Sequence, residues 1–396
     1  MSSSVRERHA PLIAALCLVV TVAYGALYYG FAVLITEPAA GGEFSRSLLS
    51  AAYGGAVLTA GLVAIPVGRI GDRAGVRGVM VGGALLGAAG LLAFSAAARG
   101  WQVLVLWWLV LGPAAAMTFY EPAYIAIQQT FGAESRARAI AVLTLAAGFS
   151  GPVFTWATGA LVDGVGWRDT TRVLAAAFAA AALVAAVLIP GRPALRRAGP
   201  AAGDPGHVTG AAHFRDPRLR LFTVAAILAY GAIEATIVHR IARFQDLGFS
   251  LSTVTSWAAV SGLLTLPGRF LLPMLANRLS ASNVLAVVLS VTAAGTALMI
   301  AGHAYWQMAL SFVLFGLVVG AALPLRAVVM GEWTSTAVFG TVMGMQAAVI
   351  ALGRAGLPAL TGGLHDALGG YGVAMALLTA LMVVSVVLLL ATARRR

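Results

Sequence analysis

Long apolar segments separated by short polar turns follow one another along the whole chain. Each segment has about 20 residues or more, the length that a helix needs to cross roughly 30 Å of hydrocarbon. No strands are predicted. The pattern therefore predicts an all-α membrane protein with twelve transmembrane helices. These spans cover residues 12–37, 47–70, 78–98, 101–129, 137–162, 170–190, 219–243, 252–276, 283–301, 305–331, 337–364 and 370–392.

One stretch between the sixth and seventh spans differs, because it is rich in Pro, Gly, Arg and His and has no apolar periodicity. We interpret residues 191–218 as a cytoplasmic linker between an N-terminal six-helix half, 1–190, and a C-terminal six-helix half, 219–396. A shift of about 205 residues aligns landmarks of the two halves in the same order. The aligned pairs are Tyr24-Gly25-Ala26 with Tyr230-Gly231-Ala232, Phe44-Ser45 with Phe249-Ser250, Asp72-Arg73 with Asn277-Arg278, and Asp163 with Asp366. The halves are thus predicted to be two copies of one unit.

Composition agrees with a membrane protein, because hydrophobic residues make up 60% of the chain and charged residues only 10%. The net charge of +12 comes from arginine alone, with no basic tract interleaved with aromatics. We attribute this charge to membrane topology and expect no nucleic-acid partner. The single cysteine, Cys17, excludes an intrachain disulfide. No phosphate-binding loop, metal-ligand spacing or nucleophile elbow occurs, so we expect no enzyme, no metal and no cofactor.

Arginine positions predict the topology. With the N-terminus inside, most arginines fall on the cytoplasmic side, as the positive-inside rule requires. We expect a multi-pass protein of the bacterial plasma membrane, with both termini cytoplasmic.

The most specific motif lies between the second and third spans and reads Gly68-Arg-Ile-Gly-Asp72-Arg73-Ala-Gly75-Val-Arg77. It resembles the loop between the second and third helices of major facilitator superfamily transporters. That resemblance implies two six-helix halves around a central cavity, with alternating access to a midplane site. Asp72 can cap or pair across to a neighbouring helix. The resemblance also implies that Asp72 and the adjacent arginines stabilise the outward-facing state by pairing across the cytoplasmic gate.

Three arginines lie inside predicted spans: Arg269, Arg326 and Arg354. A charge at membrane depth costs at least ~2.5–3.5 kcal/mol unless it faces a wet cavity or a partner. Arg269 and Arg354 lie nearer the midplane and are candidate ligands of an anion, with a structural salt bridge as the alternative. For Arg326, which lies toward a helix end, a functional and a structural role stay equally open.

A narrower resemblance involves Tyr29-Gly30-Phe31 and Glu43-Phe44-Ser45-Arg46, which are similar to bacterial members of the monocarboxylate porter and oxalate/formate antiporter group. In that group an eighth-helix arginine binds the substrate anion, and Arg269 occupies this place. The oxalate/formate antiporter also uses a cation in the eleventh helix, for which Arg354 is the counterpart. This resemblance implies a carboxylate substrate.

Two glutamates, Glu121 and Glu234, lie at membrane depth in the fourth and seventh spans. A desolvated carboxylate favours its protonated form, so both are candidate proton carriers. A permanent salt bridge with an intramembrane arginine, such as Glu121 with Arg326 or Arg354, is the alternative.

Four tyrosines complete the candidate site: Tyr28, Tyr29, Tyr120 and Tyr124. The last two are four residues apart and share one helix face. Their hydroxyls could line the cavity and donate hydrogen bonds to a carboxylate.

We therefore predict a monomeric secondary transporter that moves a mono- or dicarboxylate through the lipid bilayer, by proton symport or by exchange for a counter-anion. One alternative is a proton-coupled exporter of hydrophobic or cationic compounds, with Glu121 and Glu234 as ligands. A sensor that does not translocate is a third hypothesis.

Overall fold

A computed structural model of the chain describes residues 3–34, 43–191, 213–276 and 278–393. Within these ranges the regular elements are all helical. The α-helices are α1 Ser3–Tyr24, α2 Gly30–Leu34, α3 Arg46–Ala74, α4 Arg77–Ser95, α5 Gly100–Leu106, α6 Gly112–Thr118, α7 Tyr120–Thr130, α8 Ala133–Gly148, α9 Ser150–Leu188, α10 Pro217–Asp246, α11 Leu251–Leu275, α12 Ala281–Ala297, α13 Tyr305–Val319, α14 Ala322–Trp333, α15 Phe339–Leu368 and α16 Gly372–Ala393. Two π-helical turns, Gly25–Tyr29 and Trp107–Leu111, join α1 to α2 and α5 to α6.

The all-helical prediction is confirmed, and the helices account for the predicted spans. Ten continuous helical stretches of the described chain are long and apolar enough to cross a membrane. One of them, Ser135–Leu188, has 54 residues and contains two predicted spans. Inside it Gly166 has φ 79° and ψ 165°, values that break a helix and that glycine adopts without strain. The ninth predicted span corresponds to the 17-residue helix α12.

Serine side chains begin several of these helices. Ser45 accepts a hydrogen bond from the Leu48 amide before α3, and Ser250 accepts one from the Thr253 amide before α11. Such an N-cap satisfies one of the donors left open in the first turn. Because Ser45 and Ser250 are aligned by the internal repeat, the two halves begin equivalent helices in the same way.

The fourth and tenth spans are each interrupted near the middle. The fourth breaks at Phe119, whose ψ of −160° is extended, and α7 then restarts with Pro122 in its first turn. In the tenth, α13 ends at Val319 and α14 begins at Ala322, with Pro324 in its first turn. Proline lacks an N–H group and is tolerated in a first turn but not in a helix interior. The prolines thus restart the helices close to Glu121 and Arg326.

The described residues cluster into two compact units. The first comprises the described parts of Met1–Gly206 together with Thr334–Ala348, and the second those of His207–Trp333 and Val349–Arg396. Most of the predicted linker, and Asn277 of the repeat alignment, lie outside the described residues.

Candidate functional site

An ion pair between two membrane-spanning helices is the central feature of the second unit. Arg354 of α15 directs Nε and a terminal nitrogen at Oε2 of Glu234 in α10, at 2.9 and 2.8 Å. The Arg354 side chain is 34% exposed and that of Glu234 21% exposed. Neither side chain is therefore fully buried in the protein. The pair is compatible with both interpretations of Glu234, as a proton carrier and as a partner in a permanent salt bridge.

Two glycines bring the backbones of α10 and α15 together beside this pair. A Cβ added at Gly231 would lie 2.8 Å from the Gly353 carbonyl oxygen, and one added at Gly353 would lie 2.8 Å from the Ile227 carbonyl oxygen. Any larger residue would push the helices apart. The close approach sets Glu234, one turn beyond Gly231, against Arg354, the residue after Gly353.

Tyr230, one turn before Glu234, joins α10 to the interrupted tenth span. Its hydroxyl donates a 2.7 Å hydrogen bond to the Ala322 carbonyl at the start of α14. The guanidinium of Arg326 lies over the Tyr230 ring, 5.8 Å from the centroid, and Arg326 is only 2% exposed. This burial favours the structural interpretation of Arg326.

Arg269 is half-buried on α11, where α11 meets the break in the tenth span. A Cβ added at Gly320 would lie 2.8 Å from the Arg269 side-chain Cγ and 2.7 Å from the Thr265 carbonyl oxygen. The Gly320 backbone thus gives room to the stem of Arg269. The second unit therefore contains both predicted anion ligands.

In the first unit, aromatic rings occupy the corresponding region. Tyr24 stacks on Phe119 with ring centroids 4.0 Å apart and lies 4.7 Å from the Tyr120 ring. Tyr120 in turn stacks on Tyr124 at 5.5 Å. Tyr28 lies 6.2 Å from Tyr24. We call the rings of Tyr24, Tyr28, Phe119, Tyr120 and Tyr124 the aromatic ladder.

Members of the predicted site differ in exposure within this unit. Tyr124 is 1% and Tyr120 5% exposed, whereas Tyr28 and Tyr29 are half-buried. Glu121 is half-buried in the first turn of α7. A carboxylate is stabilised there by the positive end of the helix dipole.

The motif residue Asp72 binds the start of α15. One carboxylate oxygen accepts the Gly340 amide at 2.8 Å, and the other accepts the Thr341 amide at 2.6 Å and the Thr341 hydroxyl at 2.7 Å. These are donors of the first helical turn, so Asp72 acts as an N-cap supplied by a distant helix. The aspartate charge also complements the helix dipole.

The other motif residues have distinct roles. Gly68, one turn before Asp72, has its Cα against the Gly340 carbonyl, where a Cβ would clash. Gly75 has φ 82° and ends α3, which turns the chain into α4. Arg73 and Arg77 are exposed.

Sequence reasoning missed three contact residues, namely Tyr24, Tyr230 and Thr341. The first two occupy aligned repeat positions, and that alignment was a signal for a shared packing role. For Thr341 the only signal was the small-residue spacing of Gly340 and Gly344, which is typical of closely packed membrane helices.

Comparison with known proteins bears on the whole chain. The family model of the Major Facilitator Superfamily matches residues 16–281 and 241–396. The structure of the human organic anion transporter MFSD10 (TETRAN) superimposes with a TM-score of 0.72 and 18% identity, covering 97% of this chain and 99% of that one. The E. coli fucose:proton symporter FucP gives 0.71 at 15% identity, with the same coverage. FucP in the outward conformation gives 0.74 at 14% identity, covering 97% and 99%. Among curated proteins, none matches the chain.

Proposed function

Because the chain belongs to the major facilitator superfamily, whose members are multi-pass membrane transporters, we propose that it moves a small organic anion across the bilayer. The transport is secondary active, by proton symport or by anion exchange. The structural likenesses at 18% identity and below support the fold alone. The substrate class is argued from this chain's own residues.

The ion pair between Glu234 and Arg354 is the observation that supports this proposal. A guanidinium that binds a carboxylate at 2.8–2.9 Å inside the membrane is already arranged to bind the carboxylate of a substrate. Both side chains are partly exposed, so a substrate could compete with Glu234 for Arg354.

Competition at Arg354 gives a simple coupling mechanism. When a substrate carboxylate displaces Glu234, the glutamate loses its counter-charge and takes a proton, because an isolated carboxylate at membrane depth is poorly solvated. Substrate and proton then cross together, with no net charge for a monocarboxylate. In the exchange mode, a second anion replaces the first and Glu234 need not titrate.

Arg269 is the proposed second anion ligand, with the hydroxyls of Tyr28, Tyr29, Tyr120 and Tyr124 as proposed hydrogen-bond donors. Two guanidinium groups would suit a dicarboxylate better than a monocarboxylate, because each carboxylate then has a counter-charge. Glu121 is the alternative proton carrier.

The motif contact supplies the proposed gate. Asp72 and Gly68 bind the first turn of α15, and Arg354 lies farther along the same helix. Release of Asp72 from the α15 amides would free the helix that carries the anion ligand. Alternating access would then couple the gate to the binding site.

Uptake into proteoliposomes tests the proposal. We would compare labelled lactate, oxalate, fucose and the lipophilic cation tetraphenylphosphonium, each with and without an imposed proton gradient. Arg354→Gln and Arg269→Lys are the site variants, and Arg172→Gln, in an exposed pair with Asp169, is the matched arginine control. We expect carboxylate uptake that both site variants impair and the control retains. Carboxylate uptake at wild-type rates in both site variants would refute the site.

The aromatic ladder favours a second candidate function. Stacked rings beside Glu121 could bind a hydrophobic cation, which would make the protein a proton-coupled exporter. Transport of tetraphenylphosphonium that is lost in Glu121→Gln but retained in Arg354→Gln would support this alternative and count against the anion proposal.

A further inference from the structure

A proline lies one turn beyond the anion-binding arginine. Helix α15 runs from Phe339 to Leu368, and Pro358 is inside it. Since proline has no N–H group, the Arg354 carbonyl cannot receive its usual hydrogen bond from residue 358. The backbone that carries Arg354 is therefore weakened at this turn.

His239 of α10 binds the weakened turn from outside the helix. Its Nε2 lies 3.0 Å from the Pro358 carbonyl oxygen, and its Nδ1 lies 3.2 Å from the Tyr371 hydroxyl. A carbonyl oxygen can only accept, so Nε2 carries the proton and donates. In the neutral ring Nδ1 is then the acceptor, and the Tyr371 hydroxyl donates to it. The two contacts fix one tautomer.

Tyr371 is itself held in place before α16. It is 8% exposed, and its ring lies 5.3 Å from His239 and 4.2 Å from His365. His365 contacts Asp366 at 3.0 Å and Asp246 at 3.5 Å. Burial raises the pKa of Tyr371, and the charges of the two aspartates raise it further. The hydroxyl therefore remains a neutral donor to His239.

Helix α10 thus contacts α15 at three successive levels: Gly231 with Gly353, Glu234 with Arg354, and His239 with Pro358. The third contact lies just beyond the hydrogen bond that proline removes. We propose that His239 is a positioning residue, which together with Tyr371 clamps α15 at Pro358 and so keeps Arg354 against Glu234. The clamp is a function of His239 separate from substrate or proton binding.

A double-mutant cycle on thermal stability tests the clamp without any substrate. The melting temperature would be measured in nanodiscs for wild type, His239→Leu, Glu234→Gln and the double variant. If His239 positions Arg354, the fall in melting temperature caused by Glu234→Gln should be less than half as large in the His239→Leu background as in wild type. Equal losses in both backgrounds would overturn the proposal, because independent sites are additive.

Matched variants separate positioning from general stability. His303→Leu, an exposed histidine in the turn before α13, should leave the Glu234→Gln loss unchanged. His239→Gln keeps a donor for the Pro358 carbonyl and should retain most of the coupling. If His239→Leu leaves the Glu234→Gln loss in melting temperature unchanged, or if His303→Leu reduces that loss to the same extent, the clamp is refuted.

Pro358→Ala offers a rescue, because alanine restores the N–H donor to the Arg354 carbonyl. In that background His239→Leu should lower the melting temperature less than it does beside Pro358. A loss of the same size in both backgrounds would contradict the clamp. If His239→Leu alone does not fold, the clamp predicts that His239→Leu combined with Pro358→Ala does fold, and a combined variant that also fails to fold would overturn it.

An uptake measurement then links the clamp to transport, and this arm rests on the proposed function. With oxalate as the probe, His239→Leu should raise the apparent KM at least several-fold, and Pro358→Ala should restore it partly. Intact coupling in the thermal cycle with no carboxylate uptake in wild type would refute the proposed function and leave the clamp standing. If wild type takes up oxalate and His239→Leu has the same apparent KM as wild type, His239 does not position Arg354 and the clamp is overturned.

Discussion

The two units use one position of the repeat in different ways. Tyr24 of the first unit and Tyr230 of the second are aligned, and both contact the interrupted span of their own unit. Tyr24 does so by stacking on Phe119, whereas Tyr230 donates a hydrogen bond to Ala322 and carries Arg326 over its ring. The scaffold is shared, but the interior chemistry is aromatic in one unit and ionic in the other.

The turns that follow the fifth and eleventh spans show the same divergence. Gly166 and Gly369 both have positive φ; Trp167 comes directly after Gly166, and Tyr371 comes two residues after Gly369. The first turn is held by a 2.8 Å ion pair between Arg168 and Glu43. The second is held by the histidines around Tyr371. Two aligned turns can thus share a backbone feature while the groups that stabilise it differ.

The largest expected effect comes from removing the cation of the ionic interior. Arg354→Gln should lower carboxylate uptake roughly 10- to 100-fold, because a hydrogen bond to a charged group contributes about 1.5–3 kcal/mol. Initial rates in proteoliposomes would measure this.

Glu234→Gln should abolish proton-driven accumulation yet retain exchange of labelled for unlabelled substrate. Retained accumulation would place proton coupling elsewhere, with Glu121 as the next candidate.

A smaller effect is expected where the first unit uses a charge. Asp72→Ala removes three hydrogen bonds to α15, and loss of an N-cap costs ~1–2 kcal/mol. The melting temperature should fall by a few degrees in Asp72→Ala and by less in Asp72→Asn.

A cysteine-labelling experiment tests the gate. Ile125 is 1% exposed beside Gly340, so Ile125→Cys in a Cys17→Ser background should react faster with a thiol reagent when Asp72→Asn is added. Unchanged reactivity would count against the proposed gate.

Tyr230→Phe tests the shared scaffold directly. It deletes one buried hydrogen bond and keeps the ring, so we expect a loss of about 1 kcal/mol in stability. Its effect on carboxylate KM should be small, because the hydroxyl binds the backbone and not Arg354. A large rise in KM would show that the position of α14 also governs the anion site.

The smallest effect should come from the exposed part of the motif. Arg77 is exposed, so Arg77→Gln should change stability by no more than ~0.5 kcal/mol. A loss as large as that of Asp72→Ala would mean that the motif acts through its net charge and not through the α15 contact.

Sequence reasoning predicted the helices well, because the thickness of the hydrocarbon layer fixes the length of an apolar span. Sequence reasoning did not predict the breaks at Phe119 and Gly320, because the apolar pattern continues without interruption through both. Arg354 and Glu234 were each singled out, but their pairing was not. They are 120 residues apart, and they meet beside the close approach of Gly231 to Gly353. For Asp72, the motif indicated a cap or a pairing with a neighbouring helix, but not that the partner would be the first turn of α15.

The π-helical turn at Gly25–Tyr29 lies where the spacing of the aligned repeat landmarks changes. Tyr24 aligns with Tyr230 at an offset of 206, whereas Phe44 aligns with Phe249 at 205, so the first copy has one extra residue in this interval. A π turn accommodates one residue more than an α-helical turn does. The wide turn lies directly after Tyr24, inside the same interval. It therefore turns Tyr28 and Tyr29 about the helix axis relative to the places they would have in a regular α-helix.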